Sequence, residues 1–154
     1  MTRLADAAWG IYVHIPFCQA KCSYCAFVSQ AGNEKSQQEY VAALCREITA
    51  AGGDFSAHSV DSLFFGGGTP TVLQTDALAL ILQTIRQTFS LTPDAEISME
   101  ANPGTVTAQS LTSLRQLGFN RLSLGVQSFD DRVLAAAGRI HRAEDAETAF
   151  GLAR

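Results

Sequence analysis

Four short apolar runs alternate with helical patterns along this chain, and this alternation limits the fold more than any other feature. The runs are rich in β-branched and aromatic residues and end in glycine, proline or a polar cluster: residues 10–15, 60–65, 96–99 and 121–126. Apolar residues at helical spacing mark the segments around them: residues 36–51, 76–89, 107–117, 128–139 and 143–154. Strands that alternate with helices form a parallel sheet. We therefore predict an α/β fold of about four βα units, either doubly wound or part of a (βα) barrel.

Unusual residues follow each predicted strand. A cysteine-rich loop follows the first strand, glycines 66–68 follow the second, Glu100 and Asn102 follow the third, and Gln127 follows the fourth. In parallel α/β folds, ligands bind at the carboxyl ends of the strands. The sequence therefore predicts a functional site at this edge of the sheet.

The composition argues against several classes of partner. The 11 Lys and Arg residues are scattered among 15 Asp and Glu for a net charge of −4, whereas nucleic-acid binding needs clustered basic residues. No apolar run approaches the ~18 residues of a membrane span, and residues 1–10 resemble neither a signal peptide nor a transit peptide. We expect a cytoplasmic protein without a nucleic-acid partner or a transmembrane segment. In such a protein, clustered cysteines are expected to be metal ligands or catalytic groups rather than to form disulfides.

Cys18, Cys22 and Cys25 form a C-x3-C-x2-C run, and Cys45 is the one other cysteine in the sequence. A structural zinc site closes with four ligands, so three thiolates leave a coordination position open. Such an opening suits a [4Fe-4S] cluster that keeps one iron free for an outside ligand. The alternatives are a zinc site with His14 as fourth ligand and plain burial of the cysteines. Cys45 lies at helical spacing and is expected to pack in the core.

Four segments carry a resemblance to a known family: YVHIPFCQAKCSYCAF, FFGGGTPTVL, ISMEANPG and RLSLGVQSFDDRVLAAAGRIH. In this order, over nearly all of residues 9–154, they resemble the radical S-adenosylmethionine (SAM) proteins of the oxygen-independent coproporphyrinogen III oxidase group. The resemblance implies a partial (βα) barrel of the radical SAM type and a [4Fe-4S] cluster whose open iron binds S-adenosylmethionine. It also implies the reaction that the family shares, reductive cleavage of S-adenosylmethionine to a 5′-deoxyadenosyl radical.

The resemblance assigns roles residue by residue. It implies that Cys18, Cys22 and Cys25 bind the cluster. The residues that it places around the cofactor are Tyr12, Tyr24, Gly66, Gly67, Gly68, Thr69, Glu100, Gln127 and Arg139. Three consecutive glycines also form ordinary turns, but bare backbone at the end of a strand lets a ligand approach closely. Thr69 and Pro70 suit the N-cap and the first position of the helix that follows.

Several of these residues also have simpler interpretations. Glu100 at the mouth of a sheet needs a cationic partner, which either the amino group of the cofactor or Arg139 would supply. Arg139 equally suits a solvated charge on a helix. Tyr12 suits an ordinary strand aromatic. His141 suits a ligand to heme iron or a surface histidine, and we expect the surface position.

One position separates two branches of the family. The oxidases carry a fourth cysteine two residues after the third, where this chain has Phe27. In this respect the chain resembles the HemW family of heme chaperones, and the GRIH stretch at residues 138–141 favours the same branch. The resemblance implies heme as cargo, with an acceptor hemoprotein and an electron-donor protein as partners. The alternatives are a coproporphyrinogen III oxidase and, more remotely, a zinc-stabilised interaction module.

The final residues, 149–154, stand inside a helical pattern without a cap or a following strand. We expect residues 1–154 to be the N-terminal part of a radical SAM core domain whose C-terminal part is absent from this chain. In the heme chaperones an H-N-x-x-Y-W motif is expected in that later part. Four βα units alone would also leave one edge of the sheet exposed.

Overall fold

A computed structural model describes residues 9–55 and 58–154. Its strands are β1 (Trp9–Ile15), β2 (Phe17–Cys18), β3 (Gln30–Ala31), β4 (Ser59–Gly67), β5 (Ser90–Ala101) and β6 (Arg121–Leu124). Its α-helices are α1 (Glu34–Phe55), α2 (Thr75–Thr88), α3 (Ala108–Leu117), α4 (Asp131–Ala136) and α5 (Ala143–Ala153). Two short 3₁₀ turns, Pro70–Val72 and Pro103–Thr105, follow β4 and β5.

The four longer strands form one parallel sheet in the order β1-β4-β5-β6. Each strand lies beside the one that precedes it in the chain, so the order never reverses as it does at the switch point of a doubly wound sheet. Together with the flanking helices this arrangement is a partial (βα) barrel, and the predicted fold class is confirmed. The short strands β2 and β3 pair in parallel within the connection after β1.

Strand β5 is longer than the sequence predicts, since it begins at Ser90 rather than near residue 96. Pro93 and Asp94 resemble a turn and hide the beginning of the strand. The pairing with β4 is irregular at this point: Leu91 lies opposite Val60, and the next regular partners are Glu96 and Ser62. Proline is tolerated where the ladder is interrupted. Strand β6 ends at Leu124, two residues before the predicted end.

The hydrophobic core lies between the sheet and helices α1 and α2, which also pack on each other. Helix α2 contributes a stripe of buried residues at helical spacing: Leu78, Ile81, Leu82 and Ile85. Each such side chain stabilises the fold by about 1.5–3 kcal/mol when it is fully buried. Cys45 on α1 is partly buried against this core, as predicted. The core therefore holds the sheet rigid, and the carboxyl ends of its strands are fixed in space.

Helix α2 begins at Thr75, so Thr69 and Pro70 do not start it as the sequence predicts. They begin a 3₁₀ turn instead, and the Thr69 side chain forms no capping hydrogen bond because it points into the candidate site. Within the described part of the chain, no helix is both long and apolar enough to cross a membrane. The predicted absence of a targeting peptide concerns residues 1–10, of which residues 1–8 lie outside the described residues.

Candidate functional site

The carboxyl ends of the sheet strands and the cysteine loop enclose a cavity of about 290 Å³. Most of the site residues that the sequence predicts line it: Cys18, Cys22, Tyr24, Cys25, Gly67, Gly68, Thr69, Glu100, Gln127 and Arg139. Tyr12 and Gly66 are not among the lining residues, but a Cβ atom at Gly66 would lie 3.1 Å from the Tyr12 ring and 3.0 Å from Oε2 of Glu100. The structure thus brings together residues that are distributed over more than a hundred positions of the sequence.

Backbone hydrogen bonds hold the cysteine loop at two places. The amide of Ser23 donates to the carbonyl of Ala137 at 3.2 Å, immediately after α4. The amide of Thr69, which follows β4, donates to the carbonyl of Phe17 at 2.7 Å. All three cysteines of the loop are free and partly buried. The thiols therefore lie on a loop that is anchored to the barrel on both sides.

His14, the fourth ligand of the alternative zinc site, is engaged elsewhere. Its Nδ1 accepts a hydrogen bond from the Tyr12 hydroxyl at 3.1 Å, and its Nε2 donates to the carbonyl of Val28 at 3.1 Å. Among residues 9–55 and 58–154, no three His, Cys, Asp or Glu side chains are placed to surround a single metal ion. In a [4Fe-4S] cluster the cysteines bind separate iron atoms. Both ring nitrogens of His14 have protein partners, so His14 is not free to act as the fourth zinc ligand.

The glycines at the end of β4 avoid close contacts within the protein that a side chain would make. Gly67 has φ of 110°, a left-handed conformation, and a Cβ atom there would lie 2.5 Å from the His14 ring. A Cβ atom at Gly68 would lie 2.5 Å from the carbonyl oxygen of Phe17. Side chains at these two positions would push the strand end away from its neighbours. The glycines therefore keep a bare strip of backbone along the wall of the cavity.

Glu100 lies near the end of β5 and accepts a hydrogen bond on Oε2 from the Gly67 amide at 3.1 Å. None of the ion pairs in the described residues includes it. Arg139 is therefore not its partner, although the sequence left that possibility open. A half-buried carboxylate without a cation favours a bound ligand that brings a positive charge.

Arg139 follows α4 and lies inside the site rather than on a solvated helix surface. Its Nη1 donates to Sγ of Cys22 at 3.3 Å, and its Nη2 donates to Oδ1 of Asn102 and to the carbonyl of Gly125, both at 2.6 Å. Its Nε atom is buried and has no hydrogen-bond partner among the described residues. A buried guanidinium N–H without an acceptor is costly, and an anionic ligand would supply one.

His141 is buried with 3% of its surface exposed, so the predicted surface position is wrong. Its Nε2 donates to the carbonyl of Val126 at 3.1 Å. Burial lowers the pKa of His141 below its usual value, and the nearby positive charge of Arg139 lowers it further. The neutral imidazole therefore supports the loop that carries Gln127, whose φ of 66° is left-handed. This role was not predictable from the sequence, because the contact joins residues 15 positions apart.

Tyr12 and Tyr24 both stand at the site with 55% of their surfaces exposed. Tyr12 stacks on Phe64 with ring centroids 6.0 Å apart. Partial burial raises the pKa of Tyr12, and the charge of Glu100 raises it further. Burial also raises the pKa of Tyr24, which Arg139 opposes. Both phenols therefore remain protonated at neutral pH and present an aromatic face and a hydroxyl to a ligand.

Asn102 lines the same cavity and was not predicted as a site residue. Its Nδ2 donates to Oγ1 of Thr69 at 3.0 Å, while its Oδ1 accepts from Arg139. The sequence signal was its position directly after a predicted strand, in the segment ISMEANPG. That position indicated the right edge of the sheet but not the partners of the amide.

Comparison with known proteins identifies the family. The sequence profile of the Radical SAM superfamily matches residues 12–154, which is nearly all of the chain. The chain belongs to the radical SAM superfamily. Two relatives named "Heme chaperone HemW" are similar to it: the Synechocystis protein is 44% identical over 90% of this chain, and the Escherichia coli protein is 41% identical over 93% of it.

A solved structure, that of the Escherichia coli coproporphyrinogen III oxidase HemN, which is a radical SAM enzyme, shares the fold. It matches 99% of this chain with a TM-score of 0.91 and 34% sequence identity. The chain spans 35% and 38% of the lengths of the two HemW relatives and 36% of the HemN chain. The resemblance to a radical SAM family that includes heme chaperones and HemN is thereby confirmed.

The residues of this site fit the two groups that the radical SAM family implies. Three free thiols stand on one loop and leave room for a cluster with one open position. Glu100 lacks a cation and the buried Nε of Arg139 lacks an acceptor, and both residues line the same cavity. A zwitterionic amino acid group, with its ammonium and its carboxylate, complements this pair. The donor set and the unsatisfied groups are therefore consistent with a cluster and S-adenosylmethionine.

Proposed function

We propose that Cys18, Cys22 and Cys25 hold a [4Fe-4S] cluster, that S-adenosylmethionine binds in the adjoining cavity, and that the intact protein is a heme chaperone. In this role it binds heme and transfers it to an acceptor hemoprotein. The observation that carries the proposal is the similarity to relatives named heme chaperones, at 44% and 41% identity, against 34% for the coproporphyrinogen III oxidase. The residue at position 27 supports the same choice.

Phe27 lies on the cysteine loop, lines the cavity and is 62% exposed. The oxidases that this chain resembles carry a fourth cysteine at the corresponding position. A phenyl ring offers no atom that binds iron or supplies a thiol, so any step that needs this cysteine is excluded here. The ring adds apolar surface at the mouth of the site, which suits a planar apolar cargo such as heme better than it suits redox chemistry.

The chain's own residues would hold and orient the cofactor. Glu100 accepts from its ammonium group, and Arg139 donates to its carboxylate, because each lacks such a partner in the protein. Gly67 and Gly68 provide bare backbone along the wall. Tyr12, Tyr24 and Gln127 surround the remaining part. When bound and reduced, the cluster supplies one electron to the cofactor, which requires an electron-donor protein.

A parallel assay of two activities tests the proposed function. The intact protein, reconstituted without oxygen with iron and sulfide and supplied with a reductant, is given heme and an apo-hemoprotein in one arm. In the other arm it is given coproporphyrinogen III and S-adenosylmethionine. We expect saturable heme binding and loading of the acceptor, with negligible decarboxylation. Multiple turnovers of decarboxylation without measurable heme binding would support the oxidase and contradict the chaperone.

A further inference from the structure

The side chain of Asn102 lies between Thr69 and Arg139 and forms a hydrogen bond with each of them. On one side its Nδ2 donates to Oγ1 of Thr69 at 3.0 Å, and Oγ1 of Thr69 lies 3.7 Å from Sγ of Cys18. On the other side its Oδ1 accepts from Nη2 of Arg139 at 2.6 Å, and Nη1 of Arg139 lies 3.3 Å from Sγ of Cys22. One amide thus stands in the middle of a chain of hydrogen bonds between two cysteines.

The direction of every hydrogen bond in this chain follows from the chemistry of the groups. A guanidinium only donates, so the Asn102 atom that faces Arg139 is the carbonyl oxygen. The amide nitrogen then faces Thr69 and donates to its hydroxyl oxygen. The hydroxyl has one proton, and this proton is left to point at Sγ of Cys18. Asn102 therefore determines which way the Thr69 hydroxyl donates.

The surroundings keep the amide in place. Gly125 lies beside it, and a Cβ atom at that position would lie 2.9 Å from Oδ1 of Asn102. Thr69 is almost fully buried, with 3% of its surface exposed, so its hydroxyl has little access to solvent. The Asn102 backbone is fixed as well, because its amide donates to Oγ1 of Thr105 at 3.2 Å. The hydrogen bonds of this chain are partly buried, where such bonds are stronger than in water.

We propose that Asn102 is a positioning residue that aims two hydrogen-bond donors, the Thr69 hydroxyl and the Arg139 guanidinium, at the sulfurs of Cys18 and Cys22. The proposal rests on the cluster proposed above. Hydrogen bonds to the ligand sulfurs stabilise the more negative, reduced cluster and so raise its reduction potential. Asn102 contacts neither thiol itself, and it acts on the potential through its two neighbours.

The test is a reduction potential, which is independent of activity. The intact protein is reconstituted with its cluster, and the reduced signal is followed by EPR in a redox titration without S-adenosylmethionine. The variants are Asn102→Ala, Thr69→Val and the double variant. Thr84→Val is the matched control, because it makes the same chemical change to a hydroxyl that donates to the Leu80 carbonyl at 2.8 Å within α2 rather than to a sulfur.

We expect Asn102→Ala to lower the ratio of reduced to oxidised cluster at a fixed solution potential by about tenfold, or ~59 mV for a one-electron couple. Thr69→Val lowers this ratio by less, because Asn102 still accepts the hydrogen bond that positions Arg139. The double variant has the same reduction potential as Asn102→Ala alone. In Asn102→Ala the Thr69 hydroxyl is already no longer aimed at the sulfur, so removing it has no further effect. Thr84→Val leaves the potential at the wild-type value.

Two results would overturn the proposal: an unchanged potential in Asn102→Ala, or shifts that add in the double variant. If Asn102→Ala assembles no cluster, the comparison of Thr69→Val with Thr84→Val decides, and equal potentials contradict the proposal. A wild-type protein that assembles no cluster contradicts the proposed function instead. A cluster whose potential does not respond to Asn102 contradicts this inference alone.

Discussion

Arg139 donates a hydrogen bond from Nη1 to Sγ of Cys22 across 3.3 Å, although the two residues lie 117 positions apart in the sequence. The bond between the Ser23 amide and the Ala137 carbonyl, at 3.2 Å, joins the same two segments. The stretch after α4 therefore closes the site against the cysteine loop. A change in this stretch reaches the proposed cluster directly, and the fourth βα unit is part of the site rather than an addition to it.

The first prediction concerns the planar guanidinium group of Arg139. Replacement by lysine keeps the positive charge but loses the planar set of donors that reaches Cys22, Asn102 and Gly125 together. We expect Arg139→Lys to assemble the cluster and to bind S-adenosylmethionine about tenfold more weakly or worse, because a charge-assisted hydrogen bond contributes ~1.5–3 kcal/mol. The affinity is measured from the change that the cofactor causes in the EPR spectrum of the reduced cluster.

Arg132→Lys is the control for this experiment. Arg132 is 92% exposed at its side chain and pairs with Asp130 on the surface at 3.1 Å. The same substitution there should leave the affinity at the wild-type value, because an exposed ion pair contributes little. Equal affinities of wild type and Arg139→Lys for S-adenosylmethionine would show that Arg139 does not contribute to the cofactor site.

The second prediction concerns the backbone at Gly67. An alanine there must adopt φ of 110° and place its Cβ atom 2.5 Å from the His14 ring. We expect Gly67→Ala to reduce the free energy of unfolding by at least about 1–2 kcal/mol, the cost of the left-handed conformation alone, and to weaken the response to S-adenosylmethionine. Gly67→Val should weaken both further. Denaturant unfolding and the EPR titration measure the two effects.

Gly53 provides the matched control. It lies within α1, and a Cβ atom there would meet nothing within 4 Å. Alanine is a better helix former than glycine, so Gly53→Ala should raise the free energy of unfolding by about 0.5–1 kcal/mol. If both variants change stability in the same direction, the steric account of Gly67 is wrong.

The third prediction follows from the buried imidazole of His141. Burial and the charge of Arg139 lower its pKa in the folded state, while Asp145 acts in the opposite direction. The unfolded chain, with a histidine pKa of about 6.5, binds more protons between the two pKa values. The stability that the neutral His141 contributes is therefore complete above about pH 6.5 and is lost as the pH falls through the folded pKa.

The variant His141→Gln tests this dependence, because its amide can still donate to the Val126 carbonyl without titrating. Between pH 7.5 and pH 5.5 the free energy of unfolding of the wild type should fall. The expected fall is about 1.4 kcal/mol for each unit by which the pKa of His141 is lowered in the folded state, as far as that pKa lies within this pH range. The fall should be smaller in the variant. Identical pH profiles for the two proteins would show that His141 does not titrate as its burial implies.

The sequence predicted the elements of the fold well because their signals are local. The buried residues of helix α2 are recognisable in the sequence by their helical spacing, and β1 and β4 are short apolar runs. The errors occur where tertiary structure overrides a local signal. The third strand was predicted to begin at residue 96, whereas β5 begins at Ser90 and pairs irregularly with β4 in the segment that was missed. Thr69 suggested a helix start, but its hydroxyl is used by Cys18 and Asn102 instead.

The candidate site was predicted in outline because its cysteines and glycines form compact motifs at the carboxyl ends of strands. Its internal contacts were not predictable, since they join segments that are far apart in the sequence. Asn102 follows β5, and its partners follow β4 and α4. His141 gave no sign of its burial, because the Val126 carbonyl that it bonds lies on a different loop. Such contacts depend on the register of the sheet, which a single sequence does not reveal.

The most direct test of the central claim is the iron and acid-labile sulfide content of the reconstituted intact protein, together with its broad visible absorbance. We predict one oxygen-sensitive [4Fe-4S] cluster that is lost in Cys22→Ser and retained in Cys45→Ser, because Cys45 packs beside the hydrophobic core on α1. A cluster that survives the loss of Cys22, or one tightly bound zinc ion in place of iron and sulfide, would contradict the account.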